Sequence, residues 1–238
     1  MTAEAPVVFT RAGVLRGIRE SVPVLLGLAP FGLVAGILAQ GAGLSLAGCT
    51  LMSGMVFAGS AQLVALSGWG HPVPVLSVTL AAFVVNLRLA LMGPVLAPWL
   101  DRLRGWRLWG SLFVMTDQNW AQCVADMNAG GRDAGTLFGS GVALWAMWVV
   151  TSAAGYVAGG LLRPPPGHPV FFAALAAFVA FLVTMWRGRA DLLPWVVAGA
   201  VALAISRLLP GTSWHVVGGA LAGSLAAGLR DHYRRGAG

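Results

Sequence analysis

The chain has 238 residues, 58% of them hydrophobic and 10% charged, where soluble domains average about 45–50% and about 25%. That balance excludes a soluble globular domain, which has too little polar surface to cover such an apolar load, and a disordered chain, which needs low hydrophobicity. The net charge of +7 comes from 15 arginines, with no lysine, against 8 acids; they lie between apolar runs rather than on one face, which speaks for membrane loops and against nucleic acid.

Residues 1–20 form a polar arm carrying Arg11, Arg16 and Arg19, and an apolar run follows from Val22 to about Ala39. Arginines before an apolar run resemble a signal peptide, but the chain continues apolar without a small-residue cleavage site, so this is a retained first span. Further apolar segments cover roughly 45–69, 73–100, 108–127, 135–162, 170–186, 192–208 and 212–229. A helix needs about 20 residues to cross a bilayer, and most of these runs are near that length. They are continuous rather than alternating, which argues against a transmembrane β-barrel. The joints are too short to hold an extramembrane domain. The sequence therefore predicts an all-α, polytopic helical membrane bundle of seven to eight hydrophobic segments. A cytoplasmic arm (1–20) precedes a single transmembrane domain (21–230), and a short tail (231–238) follows. Glycines recur four apart at Gly32 and Gly36, Gly135 and Gly139, Gly155 and Gly159, and Gly219 and Gly223, a spacing that lets helix backbones approach closely in lipid.

Two early segments look breakable. The first carries Pro30 and Gly32 near its middle. The third, 73–100, would be about 42 Å long as a continuous helix, more than the hydrocarbon thickness of about 30 Å, and it carries Gly93-Pro94 late. Gly59, with Ser60 and Ala61, permits a further bend or close packing. Broken helices expose backbone groups that transporters use for substrate; the alternative is a tilted, proline-kinked but continuous helix. Arginine asymmetry favours a cytoplasmic N-terminus. If every segment crosses, however, Arg102, Arg104 and Arg107 fall on the far side. A segment that enters and leaves on one face would explain them.

Polar residues inside apolar segments are the sharpest functional signal, since burying a charge costs at least about 2.5–3.5 kcal/mol on insertion scales. Arg88 lies in Val84-Val85-Asn86-Leu87-Arg88-Leu89. Its planar fork suits a carboxylate; the alternative is snorkelling from a short helix. Asp117 lies in the polar island Thr116-Asp117-Gln118-Asn119-Trp120-Ala121-Gln122. It can pair with Arg88, carry a proton, or cap the start of a half-helix. Ser60 and Gln62 supply hydrogen-bond groups in Phe57-Ala58-Gly59-Ser60-Ala61-Gln62. The candidate substrate-binding residues are thus Arg88, Asn86, Asp117, Gln62, Ser60 and Gln118, with candidate helix breaks at Pro30, Gly32 and Gly59. All lie in the first 126 residues, so the C-terminal half reads as scaffold or partner surface.

There is no P-loop, dinucleotide fingerprint or nucleophile elbow. Cys49 and Cys123 fall singly in apolar runs, and the four histidines lie at or near segment ends, so neither a disulfide framework nor a metal site is expected. No cofactor or catalytic residue is expected.

In order and spacing, Pro30-Phe31-Gly32, Phe57-Ala58-Gly59-Ser60-Ala61-Gln62, Asn86-Leu87-Arg88 and Thr116-Asp117 resemble the AzlC family, the large subunits of two-component branched-chain amino acid exporters. The resemblance runs from about residue 18 to 230. It implies export of leucine, isoleucine, valine and analogues across the cytoplasmic membrane, with a small AzlD-like membrane subunit as partner. Leu89 and Gln118 stand where many members have histidine and glutamate, which leaves Asp117 as the remaining acid. The chemistry is compatible: a zwitterion needs a cation for its carboxylate, acceptors for its ammonium and an apolar pocket. The alternatives are a non-transporting assembly subunit and a membrane-embedded enzyme.

Overall fold

The computed structural model describes residues 6–162 apart from 68, 71 and 74, then 188–209 and 214–236, with single positions between 163 and 187. The side chain of Arg88 is outside the described residues, as is most of the expected segment 170–186. The described residues are helical, with one isolated bridge between Val8 and Asp133.

The arm is more ordered than its polarity suggests. Helix α1 (Arg11–Glu20) begins after Thr10, whose hydroxyl accepts from the Gly13 N–H at 2.9 Å and donates to Asp133. Gly13 and Gly17 form its buried stripe against the start of α9 (Gly135–Leu162). Helix α2 (Val22–Gly41) follows and runs parallel to α9: Gly32 meets Thr151, Gly36 meets Ser152 and Tyr156, and Ile37 meets Gly159.

The break expected at Pro30 and Gly32 does not occur, because α2 is continuous through both. One proline removes one N–H from the ladder, a loss a packed helix can absorb. The missing side chain of Gly32 instead makes room for the Thr151 hydroxyl.

The segment 45–69 is the one that turns back. Helix α3 (Leu46–Val56), capped by Ser45, stops at Phe57, which adopts the left-handed conformation at φ 42°. Two residues on, α4 (Gly59–Ser67) returns alongside it. Gln62 Nε2 donates to Ser53 Oγ at 3.2 Å, and Leu66 packs in one cluster with Cys49 and Ala39. At 1.5 Å per residue the arms are about 16 and about 14 Å long, each half a membrane thickness. The tip of this first hairpin reaches the middle of α9, where Gly59 lies against Trp148.

Helix α5 (Val75–Met92) ends in a 3-10 turn (Gly93–Leu96) and the short α6 (Ala97–Leu100), so the long third segment does break at Gly93-Pro94. The expected single segment 108–127 is also two pieces, α7 (Trp106–Phe113) and α8 (Asp117–Asn128). Gly110 lies against Phe138 and Val114 against Gly141; α8 then turns back, with Asn119 near Gly141 and Leu137 and Cys123 near Thr136. This second hairpin approaches the middle of α9 from the opposite end to the first. Helices α10 (Leu192–Leu208) and α11 (Trp214–Gly236) pack together through Gly219 and Gly223 against Ala198.

Among the described residues, three helices are long and apolar enough to cross a membrane: Val22–Gly41, Gly135–Leu161 and Arg189–Leu208. These three are fewer than the seven to eight hydrophobic segments expected, and among the described residues two of the apolar segments form hairpins of short helices. One core, around Leu96, Trp99, Met115 and Leu137, closes the end of the bundle at the start of α9. A smaller core of Ala39, Cys49 and Leu66, against Tyr156, closes the other end.

The folded-back first hairpin also bears on where the arginines gather. The Arg107 guanidinium sits 5.3 Å from the Phe9 ring centroid, and the Val8 N–H donates to the Arg132 carbonyl at 2.8 Å. Arg11, Arg16, Arg19, Arg102, Arg104, Arg107 and Arg132 thus gather at one end of the bundle. There Arg16 pairs with Glu20 and Asp126, both at 2.8 Å, clasping α1 to α8. Glu20 first and Asp126 second raise the Arg16 pKa above its ordinary value, at which the guanidinium is already charged throughout the physiological range.

Candidate functional site at the meeting of two hairpins

Between the two cores lies a cavity of about 100 Å³, smaller than the roughly 300–1,000 Å³ of small-molecule pockets. Its walls come from five helices and both hairpin tips. Phe57, Ala58, Gly59 and Ser60 come from the first tip, and Met115, Thr116, Asp117 and Gln118 from the second. Asn86 and Leu89 come from α5, Phe31 from α2, and Leu144, Met147 and Trp148 from α9.

The backbone gives the cavity its electrostatics. The first N–H groups of a helix lack intrahelical partners, as do the last carbonyls, and the aligned peptide dipoles make the start of a helix positive. The cavity receives the starts of α4 and α8, both favourable to an anion. It also receives the end of α3, favourable to a cation. One α3 carbonyl, that of Gly54, is already taken by the Trp145 indole N–H at 2.8 Å.

The second tip is held by Asn119, which is fully buried. Its Oδ1 accepts from the Thr116 N–H at 2.7 Å, and its Nδ2 donates to the Val114 carbonyl at 2.8 Å. One side chain therefore ties the end of α7 to the start of α8.

The structure brings four of the six candidate binding residues to one cavity. Ser60 lies in the first turn of α4, and Asn86 has its Oδ1 fully buried with no hydrogen-bond partner among the described residues. Asp117 is the first residue of α8, and Gln118 follows it; a half-helix does start here, but its cap is Thr116, with Asn119, rather than Asp117. An acid in a first turn is stabilised by the helix dipole. Arg88 stands on α5 two residues after Asn86, with its side chain outside the described residues. Gly59 opens α4 two residues beyond the turn, which falls at Phe57 rather than at Gly59 itself.

Gln62 departs from the expectation. It is buried at 2% exposure and does not line the cavity; its amide is engaged at both ends, donating to Ser53 and accepting from the Trp148 indole at 2.8 Å. It stands instead in the wall of a second, wider hollow of about 660 Å³ between the first hairpin and α5, which shares Asn86 with the cavity.

Confining the site to the first 126 residues also needs correction, since Leu144, Met147 and Trp148 form one cavity wall. They carry no charge and so gave no signal. The available clue was Trp145 and Trp148, three apart on one helix face in a segment rich in glycine, alanine and serine. Asn119 was missed for a similar reason: it reads as one more polar residue in the island, although it stands three after Thr116, the position that completes a capping box.

Comparison with known proteins accords with this geometry. The family model "AzlC protein" matches residues 23–162, a range that contains every residue lining the cavity. The chain is 27% identical over 191 residues to "Inner membrane protein YgaZ" of Escherichia coli (strain K12), covering 75% of each chain. No solved structure matches. The relative's location and the apolar helices of this chain make it a membrane protein.

Proposed function

The chain belongs to the AzlC family, and we propose that it is a secondary transporter subunit that exports branched-chain or similar apolar amino acids across the cytoplasmic membrane. The observation that carries the reading is the convergence of two half-length hairpins on one cavity. Interrupted helices that point their starts at a substrate's carboxylate and their ends at a cation are a recurring transporter device. Here the starts of α4 and α8 suit a carboxylate. The α3 carbonyl end, Asp117 and the unpartnered Asn86 Oδ1 suit an ammonium. Phe31, Leu89, Leu144 and Trp148 suit an apolar side chain. Arg88, two residues after Asn86 in α5, is the cation that this reading assigns to the carboxylate. An amino acid needs more room than about 100 Å³, so in this reading the cavity widens on loading.

A small AzlD-like membrane subunit is the partner in this reading, and the basic end of the bundle faces the cytoplasm. The test is efflux from proteoliposomes loaded with leucine, isoleucine or valine, with the small subunit co-reconstituted and omitted. The pair should export all three faster than empty-vesicle leakage. Efflux no faster than leakage in both preparations would overturn the reading.

A further inference from the structure

The Trp148 ring is a fixed wall rather than a mobile one. Its side chain is buried at 6% exposure. The indole lies 5.6 Å from the Phe31 ring, tilted by 50°, and both rings face the cavity. Its N–H is bound by Gln62 Oε1 at 2.8 Å, and Gln62 is itself anchored on the buried Ser53 hydroxyl at 3.2 Å. On the remaining side the ring abuts the first hairpin tip. A Cβ on Gly59 would stand 2.7 Å from Trp148 Cη2 and 2.9 Å from Phe31 Cε1, so no spare volume lies between the tip and the aromatic pair. The Gln62 bond, the Phe31 ring and the hairpin tip together restrict rotation and retreat of the indole.

We propose that Trp148 sets the upper size limit of the side chain this transporter accepts, and that Gln62 is the positioning residue that holds its indole in place. The proposal rests on the amino acid transport reading and adds to it the determinant of side-chain size. A rigid apolar wall excludes by overlap. Each extra methylene that cannot be accommodated is worth roughly a ten- to two-hundredfold change in preference. A wall free to swing would yield and discriminate less. Gln62 therefore acts without touching substrate.

The experiment compares initial efflux rates of valine, leucine, phenylalanine and tryptophan from proteoliposomes holding the protein with its small subunit. The variants are Trp148→Ala, Trp148→Leu, Gln62→Leu and Gln62→Glu, each normalised to inserted protein. The unaltered protein should export valine and leucine in preference to the aromatic pair. Trp148→Ala should raise phenylalanine relative to leucine by roughly tenfold or more. Trp148→Leu, which keeps an apolar filling, should move the ratio in the same direction by less. Gln62→Leu should raise the leucine KM and relax selectivity as Trp148→Leu does. Gln62→Glu should restore the original ratio, because a protonated carboxyl still accepts from the indole and donates to Ser53. If the unaltered protein exports leucine but neither Trp148 variant moves the ratio, or if Gln62→Leu and Gln62→Glu behave alike, the proposal is overturned and the transport reading stands. If the unaltered protein exports none of the four, both fall together.

Discussion

The Trp148 indole and the Gln62 amide meet at 2.8 Å across 86 residues of sequence. Two more aromatic donors of α9 tie the first hairpin and the residues leading into it: Trp145 donates to the Gly54 carbonyl and the Tyr156 hydroxyl to the Leu44 carbonyl, each at 2.8 Å. Three aromatic donors on one continuous helix thus hold a segment too short to hold itself. In lipid the freed backbone groups of such a segment must find protein partners, because no water is present to take them. The hairpin can leave the cavity only by breaking these bonds together or by moving with α9.

Trp145→Phe tests the tie nearest the tip. The ring is kept and one donor is lost, which leaves the Gly54 carbonyl without its partner at the end of α3. Such an orphaned group costs about 1–3 kcal/mol. The purified variant should melt at a lower temperature in detergent. An unchanged melting curve would mean that the bond adds nothing to the hairpin's anchorage.

Gly36→Ala should destabilise through backbone contact. An added Cβ collides with the Ser152 carbonyl and comes within 2.6 Å of the Tyr156 nitrogen, so α2 and α9 must part. Overpacking of this kind costs about 1–3 kcal/mol. Gly160→Ala on α9 is the control, since nothing lies within 4 Å of its added Cβ. That change should be neutral or stabilising by about 0.5–1 kcal/mol, as alanine is the better helix former. Comparing folded yield and melting temperature of the two variants separates close packing from glycine content.

The four-apart glycines were readable because close helix approach in lipid leaves few alternatives to small residues, and all four pairs lie at helix contacts. The basic loops were readable as charges but not as an end of the bundle, because counting sides presumes that each segment crosses. The turn at Phe57 was hidden: a left-handed phenylalanine carries none of the glycine or proline punctuation that marks a turn, and Gly59 follows it by two. The gap at 114–116 was legible only as one of three readings of Asp117, since Val114 and Met115 are apolar and Asn119, five residues after Val114, holds the turn. Pro30 misled in the opposite sense, since α2's packing on α9 outweighs one missing hydrogen bond. The site's polar residues could be listed from the chain. Their separation into cavity-lining Asn86 and tethering Gln62 depends on which way the hairpin folds.

Arg88→Gln should abolish amino acid efflux while leaving the protein inserted, and Arg88→Lys should restore it only in part. An ammonium keeps the charge but loses the planar two-toothed match to a carboxylate. Efflux from matched proteoliposomes, normalised to inserted protein, is the measurement. Full efflux by Arg88→Gln would remove Arg88 as the carboxylate anchor and leave that work to the starts of α4 and α8.

The membrane disposition makes a prediction that separates a hairpin from a crossing. Ser45 caps α3, and Gly70 lies three residues beyond the end of α4. If the first hairpin enters and leaves on one face, these positions share a side although an apolar segment of more than 20 residues, enough for a helix to cross, lies between them. Arg11 and Arg104 lie at the opposite, arginine-rich end, which the positive-inside rule assigns to the cytoplasm. Single cysteines at these four positions, in a background with Cys49→Ala and Cys123→Ala, can be challenged in intact cells with a membrane-impermeant thiol reagent. Cysteines at 45 and 70 should both react from outside, and those at 11 and 104 only after permeabilisation. Reaction of 45 and 70 from opposite faces would make α3 and α4 a crossing. It would also move Arg104 to the outer face and remove the opposed-hairpin geometry from the transport reading.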